Sequence, residues 1–160
     1  MTIEFADGQV ITVETSEPDF VFTAVVPPRH AGPPAHRHRR EREVFTVEAG
    51  LLMVRLGRER HLVQPGETVS VPPGTTHAFA NPFDEPVRLR TVETPAGPLQ
   101  AQLRAMAAAT GAPPLRELAR INAEHDWSFT VAGLPDSLQR VLWRLLAWAP
   151  SRDLQAGDRR

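Results

Sequence analysis

The stretch His36-Arg37-His38-Arg39-Arg40-Glu41-Arg42-Glu43 carries two histidines two residues apart and a glutamate five residues beyond the second. Side chains alternate with a period of two along an extended chain, so the imidazoles of His36 and His38 face the same point. Glu43 stands at the start of a predicted strand, from which its carboxylate can reach that point as well. The stretch therefore predicts a site for a metal ion.

A second stretch brings a third histidine toward the same point. It runs Gly66-Glu67-Thr68-Val69-Ser70-Val71-Pro72-Pro73-Gly74-Thr75-Thr76-His77-Ala78-Phe79-Ala80-Asn81. Three imidazoles and one carboxylate suit Fe, Mn, Ni, Zn or Cu at about 2.0–2.2 Å per bond, with one or two positions left for water or substrate. We therefore predict one divalent metal ion held by His36, His38, Glu43 and His77.

The two stretches together resemble the motifs of the cupin family. The first motif is HxH followed by three or four residues, Glu, six residues and Gly. It is matched by His36, His38, Glu43 and Gly50. The second motif is Gly followed by five residues, PxG, two residues, His, three residues and Asn. It is matched by Gly66, Pro72, Gly74, His77 and Asn81. The resemblance covers roughly residues 20–93 and departs from the family at His30, where cupins often have glycine, while the nearest glycine here is Gly32. It implies an all-β fold, a double-stranded β-helix (jelly-roll) barrel with the metal ligands inside.

The rest of the sequence predicts a barrel followed by helices. Runs of β-type residues separated by Pro and Gly turns predict strands over residues 10–14, 20–26, 44–48, 51–56, 60–63, 68–71, 76–80 and 87–93. Beyond residue 96 the apolar spacing lengthens to three and four, which predicts three helices. We expect a cupin barrel domain over residues 1–96, a C-terminal helical extension over 97–150 that packs on the barrel or at a dimer interface, and a flexible tail over 151–160.

Composition narrows the class of protein. The 160 residues fit one domain, and no apolar run approaches the roughly 18–20 residues that span a bilayer. The start of the chain lacks the basic and apolar segments of a secretion signal, so we expect a cytoplasmic protein. A formal net charge of -1 with scattered arginines does not favour nucleic acid as a partner. Cys, Tyr and Lys are absent, which leaves metal, His, Asp, Glu and Arg for any chemistry.

The residues next to the predicted ligands indicate an apolar pocket. Phe45 and Val47 share the direction of Glu43, Phe79 shares that of His77, and His30 is a further candidate for the lining. Such a pocket favours a small, partly hydrophobic molecule with one or two oxygen donors. We predict an enzyme similar to the cupin dioxygenases, in which Glu43, detached from the metal, is the candidate acid or base. The alternatives are non-catalytic, metal-dependent binding or sensing of a small molecule, and a metal-assisted isomerase, cyclase or lyase.

The helical extension carries the remaining signals. Its last helix has an apolar stripe at steps of three and four residues, formed by Leu138, Val141, Leu142, Leu145 and Leu146. We expect this stripe to pack on the barrel, with a partner surface or a lid as alternatives, and no membrane association, because Arg140 and Arg144 are too few for an interfacial helix. His61 and His125 are expected to have no chemical role. Cupin barrels commonly pair through their sheets, so a homodimer is expected.

Overall fold

The computed structural model describes residues 1–110 and 113–148. The strands are β1 (Thr2–Glu4), β2 (Val10–Thr15), β3 (Phe20–Val26), β4 (His36–His38), β5 (Arg42–Ala49), β6 (Leu52–Leu56), β7 (Glu59–Val63), β8 (Thr68–Val71), β9 (His77–Ala80), β10 (Val87–Thr94) and β11 (Phe129–Val131). The helices are α1 (Leu99–Ala108), α2 (Leu115–Glu124) and α3 (Asp136–Trp148). The predicted tail over 151–160 lies outside the described residues.

The strands form two antiparallel sheets that enclose the core. One sheet has the order β1-β2-β3-β10-β5-β8 and the other β11-β4-β9-β6-β7. Buried and more exposed residues alternate along β5 and β10, so one face of each strand packs inward. The core contains side chains from both sheets, including Phe20, Val47, Leu52, Val54 and Leu89. Each large side chain buried in this way stabilises the fold by about 1.5–3 kcal/mol before ordering costs. The predicted all-β barrel with a C-terminal helical extension is confirmed.

Gly50 shows why a glycine is required at one position of the first motif. Its φ of +80° lies in the left-handed region that other residues avoid. A Cβ at this position would lie 2.5 Å from the carbonyl oxygen of Pro86. The turn between β5 and β6 therefore passes too close to the chain before β10 for any side chain.

β11 makes the extension part of the barrel, which the sequence did not predict. It pairs antiparallel with β4, placing Phe129 opposite His38 and Val131 opposite His36. Two flanking hydrogen bonds continue the pairing, from Arg39 N to Ser128 O (2.8 Å) and from Ala132 N to Ala35 O (2.7 Å). The strand that carries two of the predicted ligands is thus covered at its edge by a segment about 90 residues later in the chain.

The helices use their apolar residues in different ways. Leu99, Leu103 and Ala107 of α1 pack against the core. The α3 stripe, in contrast, remains largely exposed, with Val141 at 52% and Leu145 at 66% exposure. The expectation that this stripe packs on the barrel is therefore wrong for the described residues. No helix in the part of the chain that the structure describes has the length and apolar character needed to cross a membrane.

Candidate metal centre

Strands of both sheets bring the four predicted ligands together inside the barrel. β4 supplies His36 and His38, β9 supplies His77 opposite His36, and β5 of the other sheet supplies Glu43. All four side chains are buried, with at most 7% exposure. Each offers one ligand atom, and these atoms lie within 4.8 Å of one another. The four residues thus form one buried cluster of three imidazoles and a carboxylate.

Two backbone carbonyls fix the direction of two imidazoles. His36 Nδ1–H donates to Pro34 O at 2.8 Å, and His77 Nδ1–H donates to Thr75 O at 3.0 Å. A histidine whose outer nitrogen is anchored in this way presents the other nitrogen, here Nε2, to a metal. Among the described residues neither ring nitrogen of His38 has a hydrogen-bond partner, although both are buried. Buried polar atoms without partners are costly, and a bound cation would satisfy one of them.

The carboxylate of Glu43 lies at the centre of the cluster. Its Oε2 is 2.6 Å from His77 Nε2 and 3.5 Å from His38 Nε2. Burial alone would raise the pKa of Glu43, but the electrostatic attraction of the neighbouring His38 and His77 imidazoles and the hydrogen bond with His77 hold that pKa well below its usual range. Burial opposes protonation of His77 too, yet Glu43 raises the pKa of this imidazole above its ordinary value. His77 Nε2–H therefore donates to the ionised Glu43 carboxylate, at a place where a metal ion can replace this proton.

His36 has the opposite electrostatic environment. Burial, together with the neighbouring His77 and His38, lowers the pKa of His36 to about 4. Its imidazole is therefore neutral near pH 7, which is the form that binds a metal. The cluster combines an ionised carboxylate with a neutral imidazole, as a divalent ion requires.

Comparison with known proteins agrees with this architecture. Residues 22–93 match the family model of the Cupin domain. The chain therefore contains a cupin domain. Among solved structures, a sugar phosphate isomerase from a cupin superfamily of Silicibacter pomeroyi is 24% identical, covering 55% of this chain and 60% of that chain, with a TM-score of 0.51. KdgF from Halomonas sp. is 18% identical, covering 58% and 84% of the two chains, with a TM-score of 0.51. These likenesses concern the fold alone, and a search of curated proteins finds no match.

Glu93 is a residue of the cupin site that sequence analysis missed. It lies on β10 directly opposite Glu43, and its side chain is fully buried. Burial raises the pKa of Glu93 to about 8, and the nearby Glu43 and Glu41 carboxylates act in the same direction. Glu93 ends the inward row of Val87, Leu89 and Thr91, so the period-two alternation of this predicted strand was a usable signal.

Phe129 is the second residue that sequence analysis missed. Its ring centroid lies 5.1 Å from that of His36 and 5.7 Å from that of His38. Phe45 contacts the third histidine, with centroids 6.0 Å apart, and lies 5.9 Å from Phe79. Aromatic rings from the barrel and from the extension therefore surround the cupin's histidines.

The other predicted site residues lie as follows. Val47 is buried in the hydrophobic core. His30 Nε2–H donates to Asp7 at 2.9 Å, and its Nδ1 accepts from Gly32 N at 3.0 Å, so both nitrogens have partners. Gly32 in turn passes so close to Phe79 that a Cβ would lie 1.8 Å from the Phe79 carbonyl oxygen. Neither Val47 nor His30 belongs to the four-residue cluster.

Proposed function

We propose that this cupin holds one divalent transition-metal ion at His36, His38, Glu43 and His77. The cluster itself supports the proposal, because it brings four buried donor atoms within 4.8 Å of one another. Two bonds of about 2.2 Å to one ion would span about 4.4 Å, close to the observed spread. The donor types suit Fe, Mn, Ni, Zn or Cu.

The function that we propose is catalysis on a small, partly hydrophobic, oxygen-bearing molecule. Phe45, Phe79 and Phe129 favour an apolar or aromatic body and exclude water from around the donors. A redox-active ion would supply dioxygen activation, the dioxygenase-like reaction that we favour, and a redox-inert ion would supply polarisation of a carbonyl. Glu43 is the proposed acid–base residue, because its Oε2 already accepts a hydrogen bond from His77 Nε2–H across 2.6 Å.

Burial of all four ligands supports a second candidate, binding or sensing without turnover. With at most 7% exposure, none of the four side chains is freely open to bulk water. Such enclosure suits a ligand held for a long time as well as one that is converted. Tight binding of an unchanged ligand would distinguish this function from catalysis, and conversion without oxygen uptake would indicate an isomerase, cyclase or lyase.

Metal analysis tests the ion. Protein purified without added metal should carry about one equivalent, and electron paramagnetic resonance should identify a redox-active ion. His38→Ala should lose most of this metal, because both a bond and the geometry of the site are lost. His61→Ala is the matched control, since His61 lies on β7, where it faces Glu59, and should keep its metal. Wild-type protein that binds none of Fe, Mn, Ni, Zn or Cu would overturn the proposal.

Oxygen consumption tests the reaction. The metal-loaded protein is screened in an oxygen electrode against small aromatic and enolic molecules that can present two oxygen donors. We expect stoichiometric oxygen uptake with at least one class, dependent on His38. Glu43→Gln, which keeps the shape of the side chain, should slow the reaction more than it weakens substrate binding. Ligand binding without any consumption of ligand or oxygen would support the sensing function instead.

A further inference from the structure

The outer nitrogen of His38 lacks the anchor that the other two ligand histidines have. Pro34 O holds His36 Nδ1, and Thr75 O holds His77 Nδ1. His38 Nδ1 is buried and has no hydrogen-bond partner among the described residues. An imidazole that is free to rotate is a poorer metal ligand, because its Nε2 lone pair is not held in one direction.

A carboxyl oxygen of Glu93 could accept a hydrogen bond from His38 Nδ1. Glu93 Oε1 is also buried without a hydrogen-bond partner in the described structure, and it lies 4.0 Å from His38 Nδ1. Hydrogen bonds between nitrogen and oxygen are about 2.7–3.2 Å long, so the two atoms are about 1 Å from forming one. A buried polar group without a partner carries a desolvation cost. A hydrogen bond between these two atoms would offset that cost for both of them.

We infer that Glu93 is the positioning residue of His38. Its Oε1 accepts the hydrogen bond from His38 Nδ1–H and thereby directs His38 Nε2 toward the ion. This inference rests on the proposed metal centre. With this bond, each of the three histidines has an oxygen acceptor for its outer nitrogen. Two of the acceptors are backbone carbonyls and the third is the Glu93 side chain.

The rest of Glu93 is fixed in a way that suits this role. Its second oxygen, Oε2, accepts a hydrogen bond from Gly97 N at 3.0 Å. Its backbone is paired on both sides, with Phe20 of β3 and with Glu43 of β5. The carboxyl group therefore has one oxygen committed to the start of the extension and one directed toward His38.

Two substitutions and a matched control test the inference. Glu93→Ala removes the acceptor, Glu93→Gln keeps an amide oxygen at the same place, and Glu41→Gln alters another buried carboxyl, whose Oε2 accepts from Arg40 N. Zn²⁺ affinity is measured by competition with a chelator, Co²⁺ absorption spectra report the ligand field, and thermal unfolding in a chelator reports stability without metal. Glu93→Ala should lose about 10–100-fold in Zn²⁺ affinity and shift the Co²⁺ bands.

The variants separate positioning from a structural role. Glu93→Gln should recover much of the Zn²⁺ affinity and a nearly wild-type Co²⁺ spectrum, and Glu41→Gln should keep both. Folded Glu93→Ala with wild-type Zn²⁺ affinity and spectrum overturns the inference. Equal losses in Glu93→Ala and Glu41→Gln also overturn it, because they indicate a general effect of altering a buried carboxyl group. Wild-type protein that binds neither ion overturns the proposed function and this inference together, whereas failure of the Glu93 variants alone leaves the proposed function standing.

Discussion

Asn81 shows that a motif residue beside the proposed metal ligands can serve the fold. Its side chain is completely buried. Nδ2 donates to Pro27 O and Glu85 O, each at 2.8 Å, and Oδ1 accepts from Phe83 N at 3.1 Å. One amide therefore joins the chain after β3 to the loop between β9 and β10.

Replacement of Asn81 by alanine should destabilise the barrel. Asn81→Ala leaves two carbonyls and one N–H without these partners, which we expect to lower the free energy of unfolding by about 2–4 kcal/mol. Denaturation in urea, without metal, measures this change. The control Gln64→Ala alters an exposed amide and should change stability by less than about 0.5 kcal/mol. A loss below about 1 kcal/mol in Asn81→Ala would contradict the role that we assign to its hydrogen bonds.

The site could be predicted from the sequence wherever strand alternation decides the direction of a side chain. His36 and His38 point together because they lie two apart, and the spacing of the motifs added Glu43 and His77. The same alternation applied to β10 would have placed Glu93 inward. Its contact with His38 could not be predicted, because a distance across two sheets depends on how the barrel closes.

β11 is an element that no local pattern in the sequence predicts. It has three residues and lies between two helices, too short for alternation to be informative. Side-chain amides of the helices hold it: Asn122 bonds both N and O of Phe129, and Gln139 bonds both N and O of Val131. Its existence depends on the free edge of β4 and on these tertiary contacts.

The ring of Phe129 should control access to the histidines. Phe129→Ala removes a half-buried ring that contacts His36 and His38, so we expect bound Zn²⁺ to exchange faster into excess chelator. Stability should fall by about 1–2 kcal/mol, less than for a fully buried phenylalanine. Phe129→Leu keeps an apolar side chain and should exchange Zn²⁺ at close to the wild-type rate. Unchanged exchange in Phe129→Ala would show that the ring does not limit access.

The α3 stripe illustrates what periodicity cannot determine. Steps of three and four residues predicted the helix and its apolar face correctly, but not what covers that face. In the described structure Gln139 lies inward instead, at 3% exposure, where its amide hydrogen-bonds the backbone of β11. A polar residue is thus the buried contact, and the apolar stripe faces outward.

At the scale of the whole molecule, the homodimer expected from the sequence stays a prediction. Exposed apolar side chains on α3 are costly in water, and symmetric pairing of two copies is the commonest way to bury such a surface. Light scattering in the micromolar range should give twice the chain's 17.7 kDa. A mass of one chain across that range would contradict the prediction.

The extension and the proposed metal centre should be coupled, since α3 contacts β4 directly at one place and holds its neighbour β11 at another. Arg37, between the two ligand histidines, pairs with Asp136 at the start of α3. Gln139 accepts from Val131 N at 2.9 Å and donates to Val131 O at 2.7 Å and Leu134 O at 2.8 Å. The three Gln139 bonds contribute roughly 2–3 kcal/mol, and the half-exposed ion pair adds little.

Truncation after Pro135 removes both contacts but retains every proposed metal ligand, since all four precede residue 81. We expect the melting temperature to fall by about 5–10 °C, as a loss of 2–3 kcal/mol predicts for a chain of this size. Zn²⁺ affinity should fall as well, because β11 loses its support and β4 its covered edge. In the full chain Gln139→Ala should reproduce part of both losses, and Arg140→Gln, which changes an exposed polar side chain of α3, should reproduce neither. If the truncated chain keeps its stability but loses small-molecule binding, α3 acts as a lid; if it keeps its stability and Zn²⁺ affinity, the coupling is absent.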